Sequence, residues 1–314
     1  MYFWVVAIGE REKKIIRASW IAIAGNAFLA LLKIVVGLIA GSLAVVAGGV
    51  DSASDILTSL ITLYTAHIIA RPPDIRYPYG YQKADTIAAK GLAFVIFFAG
   101  AQLALSSIDA VLNPVKTTMP GSLALYIIVV SIIGKLLLTW YLKKIGKSVE
   151  STMLNANARN MQNDVVISVS VLFGLLFTFV FKMPLIDKLT AFLVSLYIMV
   201  IAFRIFMQTN RDLMDGVDDQ QVYKTIIEAV KRVKEAQNPH RIRVRKMAHL
   251  LVIALDVEID GTLPLSDAHE IGVQIEHEIK SAIPNTYDIL VHIEPIGNIE
   301  PDEAFGVSEE ILDN

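Results

Sequence analysis

Apolar residues run through the first two thirds of this chain in six blocks. Each is about 20 residues or longer, enough for a helix to cross about 30 Å of hydrocarbon. The blocks fall at 15–40, 43–70, 84–112, 121–143, 154–181 and 184–207. Only Gly41-Ser42 separates the first pair and Met183-Pro184 the last, so these neighbours are predicted to form hairpins. After Gln208 the pattern changes. Residues 219–237 are predicted as an amphipathic helix, and 242–244 and 250–259 as strands. Residues 264–283 are predicted as a helix with Ser266 at its N-cap, and 288–293 as a last strand. The order α-β-β-α-β predicts a small α+β domain, one sheet with helices on one face. The acidic stretch 299–314 is expected to be loose. Three regions follow: a six-helix transmembrane domain over 1–210, a cytoplasmic domain over 211–298 and an acidic tail over 299–314.

Composition agrees with this division. The chain has 314 residues, 54% of them hydrophobic, and a mean hydropathy of +0.53. The absence of cysteine excludes disulfides and thiolate metal sites. The charged N-terminal residues, with a full-length apolar block behind them, do not read as a cleaved signal. Net charge is −3, but from Arg211 onward 21 acidic residues face 10 basic ones, against 10 and 18 before it. Arg71, Arg76 and Lys83 lie between blocks two and three. Lys143, Lys144, Lys147 and Arg159 lie around the connection between four and five. Lysine and arginine concentrate on the cytoplasmic side, which predicts both termini in the cytoplasm of a cell-membrane protein.

Asp51 and Asp55 are the only carboxylates between 41 and 70. A charge near the bilayer centre costs at least about 3 kcal/mol on insertion scales and is rarely kept without a use. Their i, i+4 spacing puts both on one helix face. The fifth block holds a second such pair, Asn160 and Asp164. At about 1.5 Å per residue, both pairs reach the middle of the bilayer and can face one another. Three carboxylates and an amide oxygen make a four-oxygen cation site. The competing reading makes Asn160 a packing amide and pairs Asp164 with a lysine. Lys33 and Lys135 are expected to snorkel or to pair with polar groups such as Gln102.

Several segments together resemble one family: NAFLALLKIVVGLIAGS at 26–42, Asp51-Ser-Ala-Ser-Asp55, Pro78-Tyr79-Gly80 followed by Lys83, Asn160-Met-Gln-Asn-Asp164, and LPLSDAH and ILVHIEP in the tail. The chain resembles the cation diffusion facilitators, divalent-metal/proton antiporters, over nearly its whole length. The resemblance implies six membrane helices plus a ferredoxin-like cytoplasmic domain, working as a homodimer. It implies a transport site made of Asp51, Asp55, Asn160 and Asp164. It also implies cytoplasmic metal ligands at His240, Asp256, His269, His292 and Glu294, and a charge interlock between Lys83 and Asp215 that joins the two parts at the dimer interface.

Two departures bear on the metal. Zinc-type members usually carry histidine at the position of Asn160. An all-oxygen set suits Mn²⁺ best, then Fe²⁺, with Zn²⁺ third. Mg²⁺ fits less well because it holds its waters. Relatives also place a His pair around the Pro-Tyr-Gly turn, where this chain has Tyr77 and Tyr81. Neutral tyrosine is a poor ligand, so no metal is expected there, and Tyr77, Tyr79 and Tyr81 read as interfacial aromatics. His67 reads as interfacial, and His249 and His277 as surface residues.

The expected activity is proton-coupled export, with the metal as substrate and no permanently bound cofactor. Crowded carboxylates exchange protons without a histidine. A passive cation channel and a metal-sensing scaffold are the rivals from other classes. Tight hairpins and a four-ligand site favour a carrier over a channel. Gly41-Ser42 and Gly48-Gly49 read as packing or turn glycines rather than a phosphate loop. No catalytic triad appears, so neither an enzyme nor a nucleic-acid partner is expected.

Overall fold

The computed structural model describes residues 10–113, 118–148, 152–217, 220–247, 250–298 and 305–313. Lys116, Ser151, Asp219, His249 and residues 299–304 lie outside them. The chain divides into two compact units, residues 1–68 with 88–207, and residues 69–87 with 208–314. The connection after the second apolar block groups with the second unit.

The first unit is built from α1 (Glu10–Ala40), α2 (Leu43–Ile69), α3 (Ala84–Leu112), α4 (Leu123–Ser148), α5 (Thr152–Phe181) and α6 (Pro184–Leu213). All six are long and apolar enough to cross a membrane. Their bounds sit within a few residues of the predicted blocks. α1, α4 and α6 run further, because their outer turns carry charged residues that hydropathy leaves out. The α1–α2 hairpin turns through Gly41 at φ +68°, which glycine adopts without steric cost. The two helices approach closely at Gly37 and Gly49. A Cβ on Gly37 would meet the backbone nitrogen of Val46 at 2.9 Å, and one on Gly49 would meet that of Ile34 at 3.0 Å.

Asp187, in the first turn of α6, is fully buried and ties the two hairpins together. It accepts hydrogen bonds from Ser42 Oγ at 2.5 Å and from the Leu43 backbone N–H at 3.1 Å, so it caps the start of α2. Lys188 Nζ donates to Asp187 at 3.0 Å and to the Gly41 carbonyl at 2.9 Å. The core of this unit is Ala-, Val- and Ile-rich, with Val45, Ile128, Val171, Leu175 and Ile198 almost fully buried. Many other large apolar side chains are exposed, Phe28, Leu31, Phe98 and Trp140 among them. That is the expected surface of helices solvated by lipid.

The second unit holds α7 (Gln221–Val230), β1 (Gln237–Met247), β2 (Leu250–Ile259), α8 (Leu265–Ala282), β3 (Thr286–Pro295) and α9 (Glu309–Asp313). The predicted order α-β-β-α-β is present. The three-stranded sheet runs β1-β2-β3, with β1 antiparallel and β3 parallel to β2. The parallel pair needs a crossover, and α8 supplies it. Ile226, Ile227 and Val230 of α7, and Ile271, Ile275 and Ile279 of α8, pack against Ile242, Ile253, Leu255 and Val257 of the sheet.

Three expectations change. α7 stops at Val230, well short of 237, and two tight turns lead into β1. β1 starts five residues early through Gln237-Asn-Pro-His-Arg, where register shifts and positive φ at Asn238 and Arg241 break the apolar alternation. The α8 N-cap is Pro264, not Ser266, whose hydroxyl bonds Asp267 instead. Within residues 305–313, Val307 pairs with Ile242, Leu312 packs on the core and Glu309 forms an ion pair with Lys231.

Candidate functional site

Asp51 and Asp55 lie one turn apart on α2, and Asn160 and Asp164 one turn apart on α5. All four line a single cavity of about 220 Å³ inside the helix bundle. Ser54, Thr58, Asn163 and Tyr197 add polar atoms, and isoleucines of α3, α5 and α6, including Ile96, Ile167 and Ile198, complete the wall. Apolar walls keep the local dielectric low, so charge interactions inside are strong. Asp55 Oδ2 is buried and has no hydrogen-bond partner among the described residues.

Two lysines reach the same region, and both pair with polar groups, though not with Gln102. Lys135, on α4, is fully buried and donates to Asp164 Oδ2 at 2.8 Å. Lys33, on α1, is also buried and donates to Gly48 O, Ser52 Oγ and Ser168 Oγ at 3.3, 3.4 and 3.1 Å. Neither snorkels, and Gln102 is exposed. The pairing of Asp164 with a lysine and its place in the cavity hold together. Three carboxyl groups and two lysine side chains therefore share this interior.

The second unit carries a tighter cluster. Among the described residues, His240, Asp256 and Glu294 are the one group of three such side chains whose ligand atoms come within 4.8 Å of one another. The three membrane carboxylates share a cavity but do not all come within that distance of one another. Sheet register explains the cluster: Asp256 is the cross-strand partner of His240 on β1 and of His292 on β3, and Glu294 lies two residues further along β3. Glu294 sits 3.6 Å from His240 Nε2 and 3.3 Å from His292 Nε2. His240 Nδ1 lies 2.7 Å from the Asn238 carbonyl. A carbonyl only accepts, so in that contact Nδ1 is the donor, and Nε2 is the ring nitrogen turned toward Glu294. Asp256 is almost fully buried and accepts from Arg241 Nη1 at 2.6 Å. Arg241 was not singled out in the sequence. His269 is exposed near the start of α8 and is not in the cluster. His277 is exposed.

Lys83 Nζ meets Asp215 at 2.5 Å, and Arg245 Nε meets the other oxygen at 3.0 Å. All three are partly exposed, so each pair contributes little by itself. In the 69–87 connection, Asp74 accepts from the Tyr81 hydroxyl at 2.6 Å and from the backbone N–H groups of Arg76 and Tyr77 at 2.8 Å. These bonds, Tyr81 first, hold its carboxyl below the usual range.

Six apolar helices around a carboxylate-lined interior, followed by a small α+β domain, define a two-part membrane protein with candidate cation ligands in each part. The chain belongs to the cation efflux family, the cation diffusion facilitators: the family model of the cation efflux transmembrane domain matches residues 19–214, and that of the cation efflux protein cytoplasmic domain matches 219–296. It is thus a membrane transporter for metal-cation efflux. It is 28% identical over 91% of its length to the manganese efflux system protein MneS of Bacillus subtilis, covering 98% of that protein. It is 27% identical over 89% of its length to the cation-efflux pump FieF of Salmonella typhi, covering 92% of that protein. Among solved structures, it is 35% identical to the metal-bound C-terminal domain of the CzcD transporter from Thermotoga maritima. That match covers 26% of this chain and 93% of the domain, with a TM-score of 0.25.

Proposed function

We propose that this chain exports a divalent transition metal, Mn²⁺ before Fe²⁺ and Zn²⁺, from the cytoplasm in exchange for protons. Asp51, Asp55, Asn160 and Asp164 are the cargo ligands. The observation that carries this reading is the single cavity in which the two pairs meet. Its donor set is entirely oxygen, which favours a harder ion than the imidazole or thiolate sites preferred by Zn²⁺. The likeness to a manganese efflux protein supports the same choice. With no imidazole among the four, the carboxylates themselves trade metal for protons. Both termini face the cytoplasm, by the distribution of lysine and arginine. There His240, Asp256 and Glu294, joined by His292, take up metal as it accumulates. The chain works as a homodimer, supported by the match to a cytoplasmic domain whose family model is named for dimerisation. Lys83 and Asp215 act as the interlock.

Reconstituted vesicles test the proposal. Mn²⁺ uptake driven by an opposing proton gradient is expected, and Asp51→Ala should remove it. Mn²⁺ flux with no proton counter-flow, or flux that survives Asp51→Ala, contradicts the proposal.

A further inference from the structure

A charged side chain that ligand spacing does not reveal bonds one of the cavity's three carboxylates. Lys135 is fully buried midway along α4, and its ammonium donates to Asp164 Oδ2 at 2.8 Å. α4 packs extensively along α5, so the contact lies within a helix interface of this unit. An ammonium out of water is tolerated when it is paired and bonded, and Asp164 is that partner. Lys33 differs. The hydrogen-bond acceptors around it, Gly48 O, Ser52 Oγ and Ser168 Oγ, are all neutral. Lys135 therefore bonds a cavity carboxylate directly, while Lys33 is held beside the cavity by neutral groups.

We propose that Lys135 is a tethered rival of the cargo. It occupies the Asp164 carboxylate until a divalent cation takes that oxygen, and its repulsion of the bound ion limits how tightly the cavity holds metal. The inference rests on the reading of this cavity as the transport site. Like charges a few ångströms apart in a low-dielectric interior repel strongly, so an ammonium beside the site lowers affinity for any cation. A carrier needs that limit, because an ion held too tightly does not leave. Lysine suits this role because it is a point charge on a flexible four-carbon stem, able to swing off one oxygen and return. Arginine would grip the carboxylate through two parallel bonds and yield it less readily.

The test uses full-length protein carrying His240→Ala, so that heat from the cytoplasmic cluster is removed. Mn²⁺ binding is titrated by calorimetry, and Mn²⁺ flux is measured in vesicles. Lys135→Gln is expected to bind Mn²⁺ about tenfold more tightly, a change of about 1.4 kcal/mol, with both KM and maximal rate reduced because the ion leaves slowly. Lys135→Arg is expected to bind roughly tenfold more weakly with a raised KM. A lysine that only supports the fold would give weaker binding on removal, with no fall in KM. Unchanged or weaker binding in folded Lys135→Gln overturns the inference. Should that variant fail to fold, Lys135→Arg decides alone, and unchanged or tighter binding overturns it. Asp51→Ala, run beside them, separates the two levels. If it leaves Mn²⁺ heat and flux intact, the cavity is not the transport site. If it removes both while the lysine variants bind like the parent, only the rivalry fails.

Discussion

At the scale of single residues, Asn160 is the position on which metal choice turns in this proposal. Its side chain offers a neutral oxygen where an imidazole nitrogen would draw zinc. Asn160→His is expected to raise Zn²⁺ flux relative to Mn²⁺ by roughly tenfold in competitive vesicle transport; an unchanged ratio would place Asn160 outside the cation's ligand shell. In the cytoplasmic cluster, Glu294 stands between His240 and His292 at 3.6 and 3.3 Å. Glu294→Gln is expected to weaken metal binding there by roughly tenfold or more, read by titration of full-length protein carrying Asp51→Ala. The four membrane side chains were legible in the sequence because i, i+4 polar pairs in apolar blocks stand out. The partners of Lys33 and Lys135 were not, because hydropathy does not say which helices are neighbours. Arg241 escaped notice for a similar reason. Its bond to Asp256 depends on a bulged register that leaves no mark in the apolar alternation of β1.

At the scale of elements, the ends of the hairpins are tied together by buried polar bonds. Asp187 caps α2 from α6, while Lys188 takes up the Gly41 carbonyl. Asp187→Ala removes an acceptor from Ser42, Leu43 and Lys188 and leaves buried donors unsatisfied. A loss of about 3 kcal/mol is expected, read as a lower thermal midpoint in detergent. The α1–α2 contact is equally specific. Gly49→Ala would press a methyl group against Ile34, its Cβ at 2.7 Å from Ile34 Cγ1. A cost of about 1–3 kcal/mol and reduced Mn²⁺ affinity are expected, since Asp51 lies two residues away. Calorimetry of the purified variant checks both. The six spans were readable because hydrocarbon thickness imposes their length and apolarity. The start of β1 was not, since Gln237-Asn-Pro-His-Arg alternates nothing. The docked end of the chain was hidden because an acidic composition does not report the Val307–Ile242 pairing.

At the scale of the molecule, an excess of basic residues before Arg211 and of acidic ones after it matches two units built for different surroundings. Metal binding at the cytoplasmic cluster is expected to strengthen the association of two chains. Light scattering across a dilution series with and without Mn²⁺ checks this, and Glu294→Gln should remove the metal dependence. The proposal as a whole depends on one ion being held between α2 and α5. An anomalous difference map recorded at the manganese absorption edge, from crystals grown with Mn²⁺, tests that most directly. The expected result is a peak between Asp51, Asp55, Asn160 and Asp164. A map with no peak there, or with its membrane-region peak away from those side chains, would contradict the account.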